Sequence, residues 1–258
     1  MDAGLAVQKA RSIVEALAVD DPKLIDVEAI AMLRGLVCVT GGITGAEGRL
    51  VRAGVGGIIR VGDRSTNEGR RRFTIAHEIG HFELHRRKDR ATCAVADLNC
   101  WGTLGKEEEY QANVFAAELL MPDRLFAPHC RGVRPGLEQI QTLATLFQTS
   151  LTATAIRFVD FCPEECALVL SQEGRIRWSY IGPQFRFRYI GSGMELDGFS
   201  LAHDYFHGKP GDRRQQHVDA SAWFPNIRFR QDAVLQEQSW SLGDYAAVLT
   251  LLWIDEDI

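Results

Sequence analysis

Hydrophobic and polar positions along the N-terminal part of the chain follow the spacing of short helices and then of short strands. Apolar side chains recur at helical intervals over residues 7–18 and 26–35, which predicts two amphipathic helices, with Asp26 as N-cap of the second. Three brief β-branched segments follow, separated by glycine-rich turns, and they predict a small antiparallel sheet. These segments are LVCVT, GRLVR and GIIRV.

Helical periodicity dominates the middle of the chain. It predicts helices over four further stretches, at about 67–84, 106–120, 137–148 and 150–160. The second of these should end before Pro122, because proline cannot continue a helix. Residues 86–105 show no clear period, and we expect them to form a loop.

The character of the sequence changes after Cys162-Pro163. Short alternating segments with glycine turns replace the helices and predict strands at ALVLS, RIRWSYI and FRFRYI, while the late apolar segment DYAAVLTLLWI predicts a buried strand. We therefore expect an α+β protein with two domains, residues 1–162, which include the helix pair 137–160, and residues 163–258.

The composition excludes several classes of protein. With 258 residues, of which 46% are hydrophobic and 24% charged, the chain can bury a core and is not intrinsically disordered. A formal net charge of −5 does not support a protein that coats nucleic acid or anionic membrane over its whole surface. Charged residues interrupt the first apolar stretch, and the late run over residues 246–254 is far shorter than the ~20 residues that a membrane-spanning helix needs. We therefore expect a cytoplasmic protein, in which six scattered cysteines are thiols or metal ligands.

An HExxH motif lies within the predicted helix over 67–84. His77 and His81 are four residues apart, so both imidazoles face one side of the helix and can bind the same zinc ion. Glu78 can then reach the zinc-bound water, take its proton during attack on a peptide carbonyl and protonate the leaving amine. The mostly apolar residues around the motif are typical of the buried helix on which zinc peptidases carry it.

A catalytic zinc site also needs a third protein ligand and an open fourth position. The following acidic helix offers Glu109, which shares a helical face with Asn113 and with small alanines that permit a close approach to the HExxH helix. Glu109 is the expected third ligand, and Asn113 can accept a hydrogen bond from a zinc-bound histidine. Spacing alone leaves Glu108 and Glu118 as alternatives.

Two segments together, FTIAHEIGHFELH and EYQANVFAAELLMP, resemble the ImmA/IrrE zinc metallopeptidases. The resemblance implies that His77, His81 and Glu109 bind Zn²⁺ and that Glu78 is the catalytic acid/base. It also implies a mainly helical, zincin-like peptidase domain with a helix-turn-helix-like helix pair, followed by a GAF-like α/β sensor domain. The implied activity is cleavage of a helix-turn-helix repressor inside the cell, which relieves repression of mobile-element, phage-defence or DNA-damage genes.

The helix pair itself does not have the charge of a DNA reader. Its segment LATLFQTSLTATAIRF resembles the helix-turn-helix-like part of the family, but Arg157 is the one basic residue between Pro135 and Phe161. A recognition helix needs several basic and polar side chains, so we interpret the pair as structural.

Other residues near the two motifs suggest additional roles. Tyr110 and His85 could stabilise the oxyanion, although we interpret Tyr110 first as a packing residue and His85 first as a helix-end residue. Cys93 lies in the predicted loop between the two motif helices, and a thiolate there could occupy the fourth zinc position and displace the catalytic water. Cys100 could do the same, although a small buried thiol is an equally good interpretation of either residue.

A stretch of the second domain is rich in arginine and aromatic residues. Between residues 175 and 230 there are nine basic and five acidic residues, a local net charge of +4. Arginine with interleaved aromatics is the combination that binds single-stranded nucleic acid, although alternation in a strand would bury many of these aromatics. We therefore expect either a solvated arginine face or a site for single-stranded DNA or another anionic effector, to which residues 70–72 could contribute. The basic residues are Arg175, Arg177, Arg186, Arg188, Lys209, Arg213, Arg214, Arg228 and Arg230.

Two classes of function fit these observations. The first is a zinc endopeptidase regulated by its C-terminal domain. The second is a non-catalytic, zinc-containing regulator that binds a repressor or DNA without cutting it. Glu78 favours the enzyme, because a structural zinc site has no use for a general base.

Overall fold

The computed structural model describes most of the chain and shows two compact units. One unit comprises Met1–His129 and Thr142–Thr154, and the other comprises Cys130–Gln141 and Ala155–Ile258. The helix pair contributes to both units, so their compactness does not test the domain boundary predicted after residue 162, which stays a prediction. The described residues are 3–43, 46–63, 67–85, 90–93 (backbone), 107–208, 215–227, 233–243 and 246–254.

The first unit begins with two helices, α1 (Gly4–Ala16) and α2 (Val27–Leu33). Both were expected from the apolar periodicity. Asp26 caps α2 as predicted, because its carboxylate accepts hydrogen bonds from the amides of Glu28 and Ala29 at 3.0 Å.

A four-stranded sheet follows, and its topology differs from the prediction. Its order is β1-β3-β2-β4, with β1 parallel to β3 and the other neighbours antiparallel, so the prediction of a purely antiparallel sheet was wrong. The prediction of a loop throughout residues 86–105 was also wrong, because β4 lies within that range. The β2–β3 hairpin turns at Gly54-Val55, as predicted, and places β3 between β1 and β2. The strands are β1 (Leu36–Gly41), β2 (Gly48–Ala53), β3 (Gly56–Gly62) and β4 (Arg90–Cys93).

The predicted helices of the middle region are present. Asn67 caps the first of them by accepting a hydrogen bond from the Arg70 amide at 3.0 Å. The second ends before Pro122, as expected from the missing amide hydrogen of proline. These helices are α3 (Glu68–Leu84), α4 (Glu107–Leu120), α5 (Asp123–Phe126), α6 (Leu137–Phe147) and α7 (Leu151–Phe161).

Helices α3 and α4 pack closely because of Gly80 on α3. A Cβ atom there would lie 3.1 Å from the ring of Phe115 and 3.2 Å from the Cα and carbonyl oxygen of Ala112. Ala112 and Phe115 are fully buried. The glycine therefore sets the distance between the two helices that carry the predicted metal ligands.

The second unit contains a five-stranded antiparallel sheet in the order β6-β5-β9-β8-β7. All seven residues of the central strand β9 are buried, which confirms the buried strand predicted near the end of the chain. A short helix, α8 (Leu201–Phe206), precedes β7. The strands are β5 (Cys166–Gln172), β6 (Arg175–Ile181), β7 (Gln216–Asp219), β8 (Val234–Leu242) and β9 (Ala247–Trp253).

The strand predicted at FRFRYI was wrong, although burial alternates over its first four residues. Phe185 is buried and Arg186 is exposed, but no strand spans this segment. The Phe185 amide instead donates to the Gly182 carbonyl, and the Arg186 amide donates to the Glu165 carboxylate. Turn and side-chain hydrogen bonds thus replace a sheet partner here.

Among the described helices, none combines the length and apolar character required to cross a membrane.

Candidate metal centre

Helix α3 brings two imidazoles together. His77 and His81 are one turn apart and buried, and their Nε2 atoms are 3.0 Å apart. Two ring nitrogens at this distance point towards a common centre, as the i, i+4 spacing predicted.

Glu109, in the first turn of α4, completes the cluster. Its Oε2 atom lies 3.2 Å from Nε2 of His77 and 3.3 Å from Nε2 of His81. Burial raises the pKa of this carboxyl, but hydrogen bonds with the two histidines outweigh burial and hold the pKa well below its usual range. Glu109 is therefore a carboxylate, the form that binds a metal.

The donor set fits zinc. Ligands about 2.0–2.2 Å from a tetrahedral zinc lie about 3.3–3.5 Å from one another, close to the separations of 3.0, 3.2 and 3.3 Å observed here. Among the described residues, His77, His81 and Glu109 form the one cluster with metal-ligand spacing. Three protein ligands leave the fourth position that a catalytic zinc requires.

The two other acidic candidates do not join this cluster. Glu118 is buried and binds Arg11, with 2.9 Å between Arg11 Nε and Glu118 Oε1. It also accepts a hydrogen bond from the Asp123 amide at 3.3 Å. Glu108 is outside the cluster of three.

Each histidine of the cluster is oriented through its other ring nitrogen. Nδ1 of His77 is 2.9 Å from Oδ1 of Asn113, which is fully buried. Since an amide oxygen only accepts, His77 carries its proton on Nδ1 and leaves Nε2 free for a metal. Nδ1 of His81 is 3.0 Å from Nδ1 of His85, which lies on the side of His81 facing away from the cluster. His85 therefore does not have the placement expected of an oxyanion donor.

Glu78 is fully buried next to the cluster, and the start of β2 lies against it. A Cβ atom on Gly48 would be 2.6 Å from Oε1 of Glu78 and 2.6 Å from Cγ2 of Thr74. No sequence pattern signals this contact, because Gly48 and Glu78 are on different elements and the glycine contributes only the absence of a side chain.

Arg52 on β2 fixes the end of α3. Its Nη2 atom donates to the carbonyl oxygens of His81, Phe82 and His85 at 2.8, 3.0 and 3.2 Å. Its guanidinium also lies 4.6 Å from the centre of the Phe82 ring. Sequence reasoning did not identify Arg52, whose role depends on the position of β2 beside α3.

The structure places the two candidate thiols only in part. The backbone of Cys93 pairs with Gly48 at the end of β4, next to the residue that lies against Glu78. The side chain of Cys93 and all of Cys100 lie outside the described residues.

The arginine candidates fall into three groups. Arg175 binds Glu195, and Arg186 binds Glu165 with Nε–Oε distances of 2.9 and 3.0 Å. Arg177 and Arg188 are exposed, and Arg188 donates to the Pro183 carbonyl at 3.3 Å. Lys209, Arg213, Arg214, Arg228 and Arg230 lie outside the described residues.

Residues 70–72 all make contacts within the first unit. Arg70 binds Glu47, Arg71 binds Glu28, and Arg72 donates to the Ile25 carbonyl at 2.7 Å. Each of the three basic residues thus has a partner within the protein, and its position needs no bound anion to explain it.

Three comparisons with known proteins show what this chain is similar to. Residues 41–159 match the Peptidase_M78 family model, described as the IrrE N-terminal-like domain. A 53-residue segment is 43% identical to metallopeptidase ImmA of Bacillus subtilis strain 168, and the match covers 20% of this chain and 29% of that relative. A solved Mycobacterium tuberculosis transcriptional regulator has a TM-score of 0.63 and 18% identity, over 98% of this chain and 77% of the other, which shows likeness of fold alone. The family-model match supports the ImmA/IrrE resemblance over residues 41–159, a range that includes His77, His81 and Glu109, and the similarity to metallopeptidase ImmA agrees with it.

Proposed function

We propose that this protein is a zinc-dependent endopeptidase that cleaves a helix-turn-helix transcriptional repressor. The observation that carries the proposal is the convergence of His77 Nε2, His81 Nε2 and Glu109 Oε2 beside the buried Glu78 carboxylate. The match to the IrrE N-terminal-like domain and the similarity to metallopeptidase ImmA support the same class. The repressor substrate, and the derepression of phage-defence, mobile-element or DNA-damage genes, rest on the family resemblance.

Each residue of the proposed site has its own role in peptide hydrolysis. Zinc bound by His77, His81 and Glu109 would lower the pKa of a bound water to about 7 and polarise the substrate carbonyl. Glu78 takes the proton of the attacking water and then donates it to the leaving amine. Burial of Glu78 excludes bulk water from this proton transfer, and Asn113 keeps His77 in the tautomer that presents Nε2.

The rival function is a regulator with a structural zinc that binds a repressor or DNA without cutting it. A structural site would be closed by a fourth protein ligand. The described residues supply three ligands, and Glu78, for which a structural site has no use, favours catalysis.

The test is incubation of the zinc-loaded protein with the helix-turn-helix repressor encoded nearby, followed by mass spectrometry of the products. We expect cleavage at a single region, and a loss of about 10²–10⁴-fold in rate for Glu78→Gln, since that is the usual contribution of a general base. Glu78→Gln should still bind zinc. Cleavage that persists in Glu78→Gln would exclude the assigned mechanism, and repressor that stays intact with zinc-loaded wild type, with an oligonucleotide present, and also with Cys93→Ala would favour the non-catalytic rival.

We also propose that single-stranded DNA or another anionic effector activates the protein through its second unit. Arg177 and Arg188 are exposed there, and Tyr189 is 77% exposed and available for base stacking. The cleavage assay with and without an oligonucleotide tests this step. Equal rates in the two arms, at low salt where phosphate contacts are strongest, would rule it out.

A third proposal concerns regulation by Cys93. Its backbone is paired with Gly48, beside the catalytic carboxylate, and thiolate sulfur is a strong zinc ligand. We expect Cys93→Ala to raise basal cleavage by zinc-loaded protein, because the fourth zinc position is then open to water. Cys100→Ala is the matched variant, and unchanged basal cleavage in Cys93→Ala would refute the gate.

A further inference from the structure

A chain of four side chains runs from His81 to the start of α4. Nδ1 of His81 is 3.0 Å from Nδ1 of His85, and Nε2 of His85 is 3.1 Å from Oε1 of Gln111. The Gln111 amide nitrogen in turn lies 3.5 Å from Oε1 of Glu107. The last contact orients the Gln111 amide so that its oxygen faces His85.

The direction of proton donation along this chain is fixed at both ends. With zinc bound, Nε2 of His81 gives its lone pair to the metal, so the proton of His81 is on Nδ1. Nδ1 of His85 must therefore accept, which leaves the His85 proton on Nε2. That proton is directed at the Gln111 oxygen, an acceptor, so every member of the chain has the partner it requires.

The backbone around His85 is held as firmly as its ring. The His85 amide donates to the His81 carbonyl at 3.0 Å, although His85 is the residue after the last turn of α3. Arg52 binds the carbonyl oxygens of both His81 and His85 and a carbonyl between them, that of Phe82. A frayed helix end would not keep the two rings in contact, and these bonds prevent fraying.

The two histidines of the cluster are thus oriented in different ways by one helix. Asn113 on α4 reaches His77 directly, whereas Gln111 on α4 reaches His81 only through His85. We propose that His85 is a positioning residue for the metal site, which holds His81 in its Nδ1–H tautomer and transmits the position of α4 to its ring. This inference rests on the proposed zinc site and adds a residue that the HExxH motif does not include.

The test compares two replacements of His85 in the full chain. His85→Phe keeps a ring of similar shape but removes the acceptor, while His85→Asn keeps an acceptor oxygen near the position of Nδ1. We expect His85→Phe to weaken zinc binding about 10- to 100-fold, the usual effect of losing such an outer contact, and His85→Asn to retain most of the affinity. Zinc affinity is measured by competition with a chelating dye, and Asn113→Ala serves as positive control on the other histidine.

A second readout separates positioning from a general loss of structure. In the zinc-loaded protein, ¹H and ¹⁵N shifts of the His81 Nδ1–H group report its hydrogen bond, and we expect a hydrogen-bonded Nδ1–H in the wild type, loss of that bond in His85→Phe and recovery in His85→Asn. Gln111→Leu, which is farther from the metal ligands, should cause a smaller loss of affinity in the same direction and covers the case in which His85→Phe does not fold.

The outcomes distinguish this inference from the proposed function. Wild-type zinc affinity and unchanged shifts of the His81 Nδ1–H group in a folded His85→Phe would overturn the role of His85 and leave the zinc site intact. Equal losses in His85→Phe and His85→Asn would also overturn it, because the acceptor would then be irrelevant. Zinc binding with the expected variant order, but without repressor cleavage, would support His85 and reject the peptidase. Failure of the wild type to bind zinc would overturn both.

Discussion

Gly48 has no side chain, and the Glu78 carboxylate lies where a side chain would begin. The 2.6 Å separation between a Cβ atom at position 48 and Oε1 of Glu78 would be far below a van der Waals contact, so one of the two groups would have to move. Thr74 lies equally close to that position, which limits movement of the strand. The proposed general base thus depends on a residue that contributes no chemistry of its own.

Gly48→Ala tests this dependence. We expect at least a tenfold loss of cleavage rate, because a displacement of Glu78 by about 1 Å can slow the proton transfer tenfold or more. Zinc affinity should be nearly unchanged, since Glu78 is not among the three ligands. Gly42→Ala is the control, because a Cβ there meets nothing within 4 Å, and an equal loss of rate in Gly42→Ala would contradict the steric explanation.

Sequence reasoning identified the site residues that lie at helical spacing. His77, His81, Glu109 and Asn113 are recognisable because each pair is four residues apart on one helix, and the structure brings them together. Gly48 and Arg52 were missed because their partners are on another element. His85 continues the spacing of four, so the sequence contained a signal for it that was interpreted as a helix end.

Helix α7 and strand β6 are joined by a partly buried carboxyl of the second unit. The Tyr180 hydroxyl donates to Oδ1 of Asp160 at 2.5 Å. Burial raises the pKa of Asp160 and outweighs the opposing effects of the Tyr180 hydrogen bond and the nearby Arg157 charge. The folded protein therefore binds this proton more tightly than the unfolded chain does.

Asp160→Asn tests the resulting pH dependence. Wild-type free energy of unfolding should fall as the pH rises from about 4, the ordinary value for Asp, through the higher folded pKa. Asn keeps the acceptor for Tyr180 and never ionises, so the variant should gain stability relative to wild type at pH 7 and lose that gain near pH 3. Urea unfolding at the two pH values measures the difference.

Tyr180→Phe is the companion variant, because it removes a hydrogen bond that lowers the Asp160 pKa. The pH dependence should then extend to higher pH. A constant difference between Asp160→Asn and wild type at both pH values would mean that this carboxyl does not titrate differently on folding.

The local sequence pattern predicted the strands of the first sheet but not their order in it. β-Branched segments between glycine-rich turns located β1, β2 and β3, but the parallel pairing of β1 with β3 depends on where the β2–β3 hairpin docks. The segment at Phe185 shows the reverse case, in which alternating burial arises without a strand because turns and a carboxylate satisfy the backbone.

The division into two compact units predicts where zinc acts on stability. A ligand at 100 times its dissociation constant stabilises the state it binds by about 2.7 kcal/mol, or about a 100-fold slowing of exchange through global opening. Hydrogen exchange should therefore slow in α3 and α4 of the first unit on zinc addition, while β5 and β9 of the second unit keep their rates. Glu109→Ala should abolish the effect. Equal slowing in β9 would show that the units open together or that zinc binds elsewhere.

The central position of β9 has a consequence for synthesis of the protein on the ribosome. Its two neighbours in the sheet, β5 and β8, both precede it in the chain, and each needs β9 to cover one edge. Until Ala247–Trp253 has left the exit tunnel, a nascent chain presents two open strand edges, which readily pair with other chains. A chain truncated just before Ala247 should therefore bind chaperones and aggregate much more than a chain truncated before Cys166, which contains none of that sheet.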